Sequence, residues 1–159
     1  MRNKLYKRMI IYATFIIILL GVIYKFYPRT FKQITPTNDN VTKVVINGEI
    51  AVYDKNKTGA YDLKPITSIE INDNKQIDKI METFDTTSYI SIPHFKRSAS
   101  KIDIHLFLET DKRKYTHYIA IYNNGYIYSE DRGYYKNTNS SKLFNAVYEY
   151  LKENYKDIP

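Results

Sequence analysis

The chain has no cysteine among its 159 residues. This absence excludes disulfide bonds, thiolate nucleophiles, zinc sites built from cysteine and lipid attachment at an N-terminal cysteine. A domain outside the cytoplasm would depend on packing and hydrogen bonds alone for its stability. Glycine is also scarce, with five residues in the whole chain, so few loops can approach a phosphate or a substrate through their backbone.

Acidic residues are missing from the first 32 positions, which carry seven of the 24 Lys and Arg residues. The other 17 basic residues are balanced by 17 acidic ones, so the formal charge of +7 arises in the N-terminal region alone. The rest of the chain lacks the excess of basic residues that is typical of nucleic-acid binding. We therefore expect no nucleic-acid partner.

An uncharged stretch runs from Met9 to Tyr24 and has no polar face at helical spacing. Counted to Tyr27 it has 19 residues, which is within the roughly 17 to 25 that span a bilayer. Basic residues lie on both sides of it, as they do around membrane helices. We predict a transmembrane helix over residues 9–27, preceded by a basic cytoplasmic tail over residues 1–8.

Two other interpretations of this stretch are open. A cleaved signal peptide needs small residues in an A-x-A-like arrangement near its end, and residues 21–30 contain no such arrangement. A buried helix of a soluble core is usually shorter and lacks basic residues on both sides. We favour an uncleaved anchor in the cell membrane. The small excess of Lys and Arg before the span places the N-terminus in the cytoplasm and the C-terminal part outside.

The stretch after the span reads as a linker followed by one domain. Residues 28–40 contain two prolines and no sustained periodicity, which predicts a flexible coil with an end-to-end distance of about 20 Å. Residues 41–159 are enough for one domain with one core. We expect this extracytoplasmic domain to be monomeric.

Apolar spacing predicts two helices in the domain. Asp73 and Gln76 have the spacing of a capping box, and apolar residues follow at helical positions, so the first helix is predicted over residues 74–85. A second apolar stripe predicts a last helix over residues 140–154. Together with the strands described next, these helices indicate an α+β domain with a mainly antiparallel sheet and two helices.

Asn-Gly pairs between apolar runs predict two hairpin turns, at Asn47-Gly48 and at Asn124-Gly125, because type I′ turns need positive φ angles. Between them, alternation of Ile and Leu with other residues over 102–108 predicts a strand half of whose side chains are buried. A two-residue turn at Asp111-Lys112 pairs this strand with residues 115–122. These segments are expected to form a meander. Residues 66–71 are expected to form a further strand after a polar loop over residues 54–63, residues 133–135 a short edge strand, and Ser91-Ile92-Pro93 part of a loop.

This register places the Ile and Leu residues of the strand over 102–108 on an inner face of the sheet. The second Asn-Gly turn is expected to pair Ile121 with Tyr128 and Tyr122 with Ile127. The opposite face then carries a set of mainly aromatic side chains. We predict a binding role for this set, because rigid aromatic rings with hydroxyl groups suit recognition of a protein or a sugar. The predicted binding residues are Phe107, Tyr118, Tyr122, Ile127 and His105. A helix over residues 140–154 that covers this face is the alternative, and we favour it slightly, because apolar sheet faces are commonly covered.

Local motifs for catalysis and metal binding are lacking. His105 and His117 are expected on opposite faces of the sheet, so they cannot bind one ion, and we expect no metal and no other cofactor. The chain has no nucleophile elbow, zinc-protease motif or phosphate loop, and the adjacent Glu130 and Asp131 are expected to point to opposite sides. We assign no catalytic residue, and whether the chain is an enzyme stays uncertain.

Four segments carry a family resemblance: residues 69–80, Ser91-Ile92-Pro93, residues 122–130 and Gly133-Tyr134-Tyr135. Together they resemble an uncharacterised family of small single-pass membrane proteins from Gram-positive bacteria, over about residues 66–154. The resemblance implies the same α+β fold and membrane location and no established activity. We expect a membrane-tethered binding module that acts close to the membrane on a partner protein, a peptide or a wall precursor. An envelope-acting hydrolase is the alternative.

Overall fold

The computed structural model describes five stretches of the chain: residues 2–35, 40–53, 61–96, 98–139 and 141–159. Within them, side chains are described from residue 6 onward. The helices are α1 (Arg2–Phe26), α2 (Phe31–Ile34), α3 (Asn74–Asp85) and α4 (Lys142–Asn154). The strands are β1 (Asn40–Tyr53), β2 (Tyr61–Ile71), β3 (Tyr89–Ser91), β4 (Lys101–Glu109), β5 (Lys114–Tyr122), β6 (Tyr126–Ser129) and β7 (Gly133–Asn137).

The seven strands form one sheet in the order β2-β1-β4-β5-β6-β7-β3. Every neighbouring pair in this order is antiparallel. The predicted α+β class with a mainly antiparallel sheet is therefore confirmed. Strands β1 and β4 are neighbours in the sheet although β2, α3 and β3 separate them in the chain, so the core depends on contacts between distant segments.

The pairing of β4 with β5 follows the predicted register. Leu106 lies opposite His117, and Ile102 lies opposite Ile121. Buried and half-buried residues alternate along β4, and its Ile and Leu side chains are at most 1% exposed. The prediction succeeded because a slip of one residue would move the whole apolar set to the other face.

Helices α3 and α4 cover the inner face of the sheet. The carboxylate of Asp73 accepts a hydrogen bond of 3.0 Å from the backbone N–H of Gln76, and α3 spans the predicted residues. Such a cap satisfies a donor that the first helical turn leaves free. The buried side chains of both helices belong to one core cluster with the inner face: Ile77, Ile80, Phe84, Leu143, Phe144, Val147, Tyr150 and Leu151.

Helix α1 contains the uncharged stretch. Its residues Tyr6–Phe26 are long and apolar enough to cross a membrane, and none of that stretch is buried against the domain. A helix of a soluble core would bury such side chains, so that interpretation is wrong. A signal sequence near the N-terminus would pass the same test of length and composition, so it stays open.

The segment predicted as a linker begins with residues that are bonded to the sheet. Arg29 forms a β-bridge with Tyr89 of the edge strand β3. The backbone N–H of Arg29 donates to the carbonyl of Tyr89 at 2.8 Å, and the N–H of Tyr89 donates in return at 2.9 Å. The chain is thus attached to the sheet three residues after α1 ends.

Helix α2 follows this bridge and is packed into the core. Phe31 and Ile34 are 1% and 0% exposed. The ring of Phe31 stacks on that of Phe84, with 4.4 Å between the centroids. Residues 28–35 therefore belong to the domain, and the predicted flexible linker is wrong for them. The burial of two large apolar side chains stabilises the ordered segment by more than the conformational entropy that it loses. Residues 36–39 lie outside the described residues.

The first Asn-Gly pair does not form a turn. Asn47-Gly48 lies inside β1, and the pairing of β1 with β2 shifts between Ile46 and Gly48, as at a β-bulge. A Cβ atom on Gly48 would lie 2.3 Å from the carbonyl oxygen of Lys101 on β4. Glycine is needed here for close approach of two strands, a role that local sequence cannot distinguish from a turn.

Several smaller boundaries also differ from the prediction. The strand predicted over residues 66–71 begins already at Tyr61, and the rest of the predicted polar loop, residues 54–60, lies outside the described residues. The segment around Gly133 was expected as a short edge strand and is β7, an interior strand between β6 and β3. Ser91 was expected in a loop but belongs to β3, which forms one edge of the sheet.

Candidate functional site

The sheet has a second face, opposite α3 and α4, which we call the outer face. It carries alternate residues of the central strands, which are mostly half-buried. Leu143 and Phe144 of α4 belong to the core cluster on the other side. The predicted cover of the outer face by a helix over residues 140–154 is therefore wrong, and within the described residues no helix lies on this face.

Aromatic rings form a connected group on the outer face, which we call the aromatic cluster. Its members are His105, Tyr118, Tyr128, Tyr134, Phe95, Tyr122 and Tyr126. The distances between neighbouring ring centroids along it range from 4.7 to 5.8 Å. These separations are typical of favourable edge-to-face and offset contacts. The cluster is therefore a rigid surface whose rings hold one another in place.

Phe95, in the loop between β3 and β4, links Tyr134 to Tyr122 and Tyr126. Its ring stacks on Tyr134, with 4.7 Å between centroids and 16° between the planes. It also contacts Tyr122 at 4.7 Å and Tyr126 at 5.7 Å. Phe95 therefore covers part of the face and leaves Tyr134 37% exposed.

Three of the five predicted binding residues, His105, Tyr118 and Tyr122, lie in the aromatic cluster. Phe107 lies on the same face but apart from it, and the ammonium group of Lys43 is 4.4 Å from its ring centroid. The fifth, Ile127, is not on this face. The structure thus places four of the five predicted residues on one face of the sheet and three of them in the aromatic cluster.

Ile127 is 1% exposed on the inner face, because the turn before it is longer than predicted. Ile121 pairs with Ile127, not with Tyr128, so residues 123–125 form a three-residue loop. Gly125 has φ of 84° and its N–H donates to the carbonyl of Tyr122 at 3.0 Å. A type I turn followed by a glycine at positive φ is the usual geometry of such loops. The extra residue reverses the face of every side chain in β6.

Sequence reasoning missed Phe95, Tyr126, Tyr128 and Tyr134. A three-residue turn would have placed Tyr126 and Tyr128 on the outer face, and the apolar Ile127 in the core is the signal that favours this register. Tyr134 follows from its pairing with Tyr128. Phe95 is in an irregular loop, so no periodicity could have found it.

One tyrosine of the cluster is held by a polar pair. The hydroxyl of Tyr118 donates to Oδ1 of Asp103 at 2.5 Å, and Nζ of Lys101 lies 2.7 Å from the other carboxylate oxygen. The Asp103 side chain is 14% exposed. Burial and this hydrogen bond raise the pKa of Tyr118 well above its usual value, so the phenol stays neutral at physiological pH. The pair orients the ring and gives the outer face a polar centre.

A broad depression of about 610 Å³ lies beside the cluster on the outer face. It is lined by Glu49, Tyr61, Leu63, Ser98, Ala99, Lys101 and Tyr122. Tyr61 and Leu63 are 61% and 55% exposed. Exposed apolar side chains around a shallow depression are typical of a surface that contacts another molecule.

His117 and Ser129 are near each other but do not form a catalytic pair. Both are buried, and the Ser129 hydroxyl donates to the carbonyl of Ile34 at 2.5 Å. Because the hydroxyl proton of Ser129 takes part in that hydrogen bond, its oxygen can only accept, and it accepts a hydrogen bond of 3.0 Å from Nε2 of His117. The imidazole is thus a donor to the serine and not its base. Burial lowers the pKa of His117, although Glu130 and Asp131 oppose the shift.

Metal coordination finds no support in the geometry of the described residues. They contain no group of three His, Asp or Glu side chains placed to hold an ion. His105 lies on the outer face opposite Tyr118, whereas His117 lies opposite Leu106 on the inner face. The two imidazoles are therefore separated by the sheet, as the register predicts.

Comparison with protein-family models, with curated proteins and with solved structures found no match to the chain. The resemblance to a family of single-pass membrane proteins therefore stays a hypothesis.

Proposed function

We propose that the chain is a single-pass membrane protein whose domain binds a partner through the outer face of its sheet. The aromatic cluster is the observation that carries this proposal. Tyrosine rings are rigid, contribute large contact areas and offer hydroxyl groups for hydrogen bonds, so they are enriched at the energetic centres of interfaces. A partner protein or peptide, or a wall precursor that stacks a sugar on the rings, fits this chemistry.

The membrane part of the proposal rests on α1. Its apolar side chains, such as Ile17 at 69% exposure, are not buried against the domain. Exposing the apolar surface of a helix of this length to water is unfavourable by more free energy than a folded domain typically has in stability. A bilayer is therefore its natural surrounding. The positive-inside rule then favours a cytoplasmic N-terminus and a domain outside the cell membrane.

The junction between α1 and the domain limits where the partner can be. Arg29 is bonded to Tyr89 on β3, and the neighbour of β3 in the sheet is β7, which carries Tyr134 of the cluster. The outer face therefore begins next to the strand that joins the membrane helix. A partner on this face is expected to be in the membrane or close to its surface.

A hydrolase would need a cleft in which two or more titratable side chains converge on a substrate. On the outer face, Lys101 and Asp103 pair with each other beside the cluster, and the ammonium group of Lys136 lies 5.7 Å from the ring centroid of Tyr126. The buried His117 donates to Ser129 and is not available as a base. No specific observation in the described residues favours hydrolysis over binding.

Site-specific photo-crosslinking in the native membrane tests the proposal. A photoreactive amino acid at Tyr134 probes the outer face, and the same amino acid at Lys79 on α3 probes the opposite side of the domain. We expect a defined crosslinked species from position 134 that is absent from position 79. Equal patterns from both positions, or none from position 134, would contradict a partner on the outer face.

A further inference from the structure

A basic depression of about 360 Å³ lies where α1 meets the domain. We call it the junction pocket, and it is lined by Tyr24, Tyr27, Arg29, Lys32, Gln33 and Arg132. Three of these six side chains are cationic and none is acidic. Like charges repel, so a surface that gathers three of them gains if an anion is bound between them.

The three cations come from two segments of the chain that are distant in sequence, and the fold holds each of their backbones. Arg29 is fixed by its backbone bridge to Tyr89. Lys32 is in α2, which the buried Phe31 holds against the core. The backbone N–H of Arg132 donates to the carbonyl of Ser129 at 3.2 Å in the turn between β6 and β7. The backbone of the pocket is therefore already in place in the folded domain.

The cations of the junction pocket are unpaired within the described part of the chain. No described carboxylate lies within 4.0 Å of Arg29, Lys32 or Arg132. The guanidinium group of Arg29 lies over two aromatic rings instead, 5.6 Å from the centroid of Tyr24 and 6.0 Å from that of Tyr135. These contacts orient its charge without neutralising it. Lys32 also lines a neighbouring depression with Asp78, Glu82 and Asp85, and Arg132 lines another with Glu130 and Asp131. None of these carboxylates lines the junction pocket, whose lining is therefore positive.

The position of the pocket indicates which anion it meets. Tyr24 and Tyr27 are 73% and 63% exposed at the end of the apolar helix, where aromatic residues usually mark the level of the lipid headgroups. Lipid phosphates are concentrated at that level, whereas free phosphate is dilute. We propose that the junction pocket binds the phosphate of an anionic phospholipid, with Arg29, Lys32 and Arg132 as its cationic contacts. This inference rests on the proposed membrane anchoring by α1.

Electron paramagnetic resonance of spin-labelled lipids tests the inference on the full chain in phosphatidylcholine bilayers. The signal reports how strongly the protein restricts labelled phosphatidylglycerol compared with labelled phosphatidylcholine. Since one cation near an anionic lipid favours binding by about fivefold, we expect a preference of about fivefold or more for phosphatidylglycerol. Replacing Lys32→Gln together with Arg132→Gln removes two of the three cations and should lower the preference by about fivefold or more.

A control removes the same charge elsewhere. Lys64 is on β2, the edge of the sheet opposite to β3, about six strand spacings or roughly 29 Å away. Lys156 follows Tyr155, whose hydroxyl donates to Gln76 near the start of α3. Lys64→Gln with Lys156→Gln should keep the lipid preference, and an equal loss in this control would overturn a local site. If the test pair unfolds, Lys32→Gln alone must still lower the preference by about fivefold.

Two further measurements separate the possible failures. Flotation of the vesicles shows whether the protein is anchored, so a protein that does not float contradicts the membrane proposal itself. A protein that floats but restricts both lipids equally contradicts the junction pocket alone. Release of the labelled lipid by inorganic phosphate at constant ionic strength would identify free phosphate as the ligand and overturn the assignment to a lipid.

Discussion

Tyr134 and Tyr135 are adjacent in β7 and face opposite sides of the sheet. Tyr134 is 37% exposed on the outer face, whereas Tyr135 is 1% exposed in the core, where its hydroxyl donates to the carbonyl of Arg132 at 3.1 Å. One strand thus carries the same residue type in a candidate binding role and in a structural role. The pair allows the two roles to be separated by experiment.

We expect Tyr135→Ala to cost about 3–5 kcal/mol of unfolding free energy, because a large ring leaves a cavity in the core. Tyr134→Ala should cost about 1 kcal/mol or less, because its ring is already partly in water. Urea unfolding of the full chain in detergent, followed by near-ultraviolet circular dichroism, measures both values. Equal losses would indicate that Tyr134 is a core residue and that the outer face is not a binding surface.

The aromatic cluster should be needed for partner capture and nearly dispensable for stability. We expect Tyr126→Ala with Tyr128→Ala to abolish the crosslinked species formed from position 134, while the unfolding free energy falls by no more than about 2 kcal/mol. Tyr148→Ala with Tyr155→Ala removes the same groups from the helical side of the domain and should leave capture intact. Loss of capture in this control as well would attribute the effect to general destabilisation.

The N-terminal boundary of the domain can be tested by truncation. A fragment of residues 28–159 keeps Phe31 and Ile34, which are buried, whereas a fragment of residues 41–159 lacks them. We expect the shorter fragment to be less stable by several kcal/mol, since each buried side chain contributes about 2–5 kcal/mol. Phe31→Ala in the longer fragment should cost about 3–5 kcal/mol. Equal stability of both fragments would restore the flexible linker that the sequence predicts.

Gly48 should be intolerant of a methyl group. Gly48→Ala brings a Cβ atom to 2.3 Å from the carbonyl oxygen of Lys101, so the two strands must separate. We expect a loss of about 1–3 kcal/mol or more in urea unfolding. Gly21→Ala is the matched control, because nothing lies within 4 Å of its added Cβ. An unchanged stability of Gly48→Ala would contradict the close approach of β1 and β4.

His117 should make stability fall in mild acid. Burial lowers its folded pKa below the ordinary value of 6.5, so the unfolded state binds the proton more readily. The contribution is therefore complete above pH 6.5 and is lost as pH falls through the folded pKa. Unfolding free energies measured between about pH 7 and 5 should decline more steeply for the wild type than for His117→Gln. Parallel curves would exclude His117 as the cause.

The orientation of the span is a separate prediction. If α1 is an uncleaved anchor, alkaline carbonate should leave the protein in the membrane, and its N-terminal sequence should begin before residue 28. Protease added to intact cells should digest the domain but leave the tail at residues 1–8. A mature N-terminus after residue 28 would instead identify a signal peptide.

The sequence predicted best where one pattern had one structural meaning. Alternation along β4 and the apolar set of β5 fix a register, because the wrong register exposes every core residue. Asp73 marks the start of α3 because an N-cap is a local interaction. The candidate site was located only in part, since the face of Ile127 depended on the length of one turn.

By itself, the sequence determined the uncharged span, the strand-and-helix composition and the half of the sheet around β4 and β5, because these depend on periodicity and on local caps. Tertiary structure alone decided three other features. Gly48 serves the contact of β1 with Lys101, Phe31 enters the core from beyond the predicted boundary, and Phe95 completes the aromatic cluster. Each of these depends on a neighbour that is distant in the chain, and no local pattern encodes which distant residues will meet.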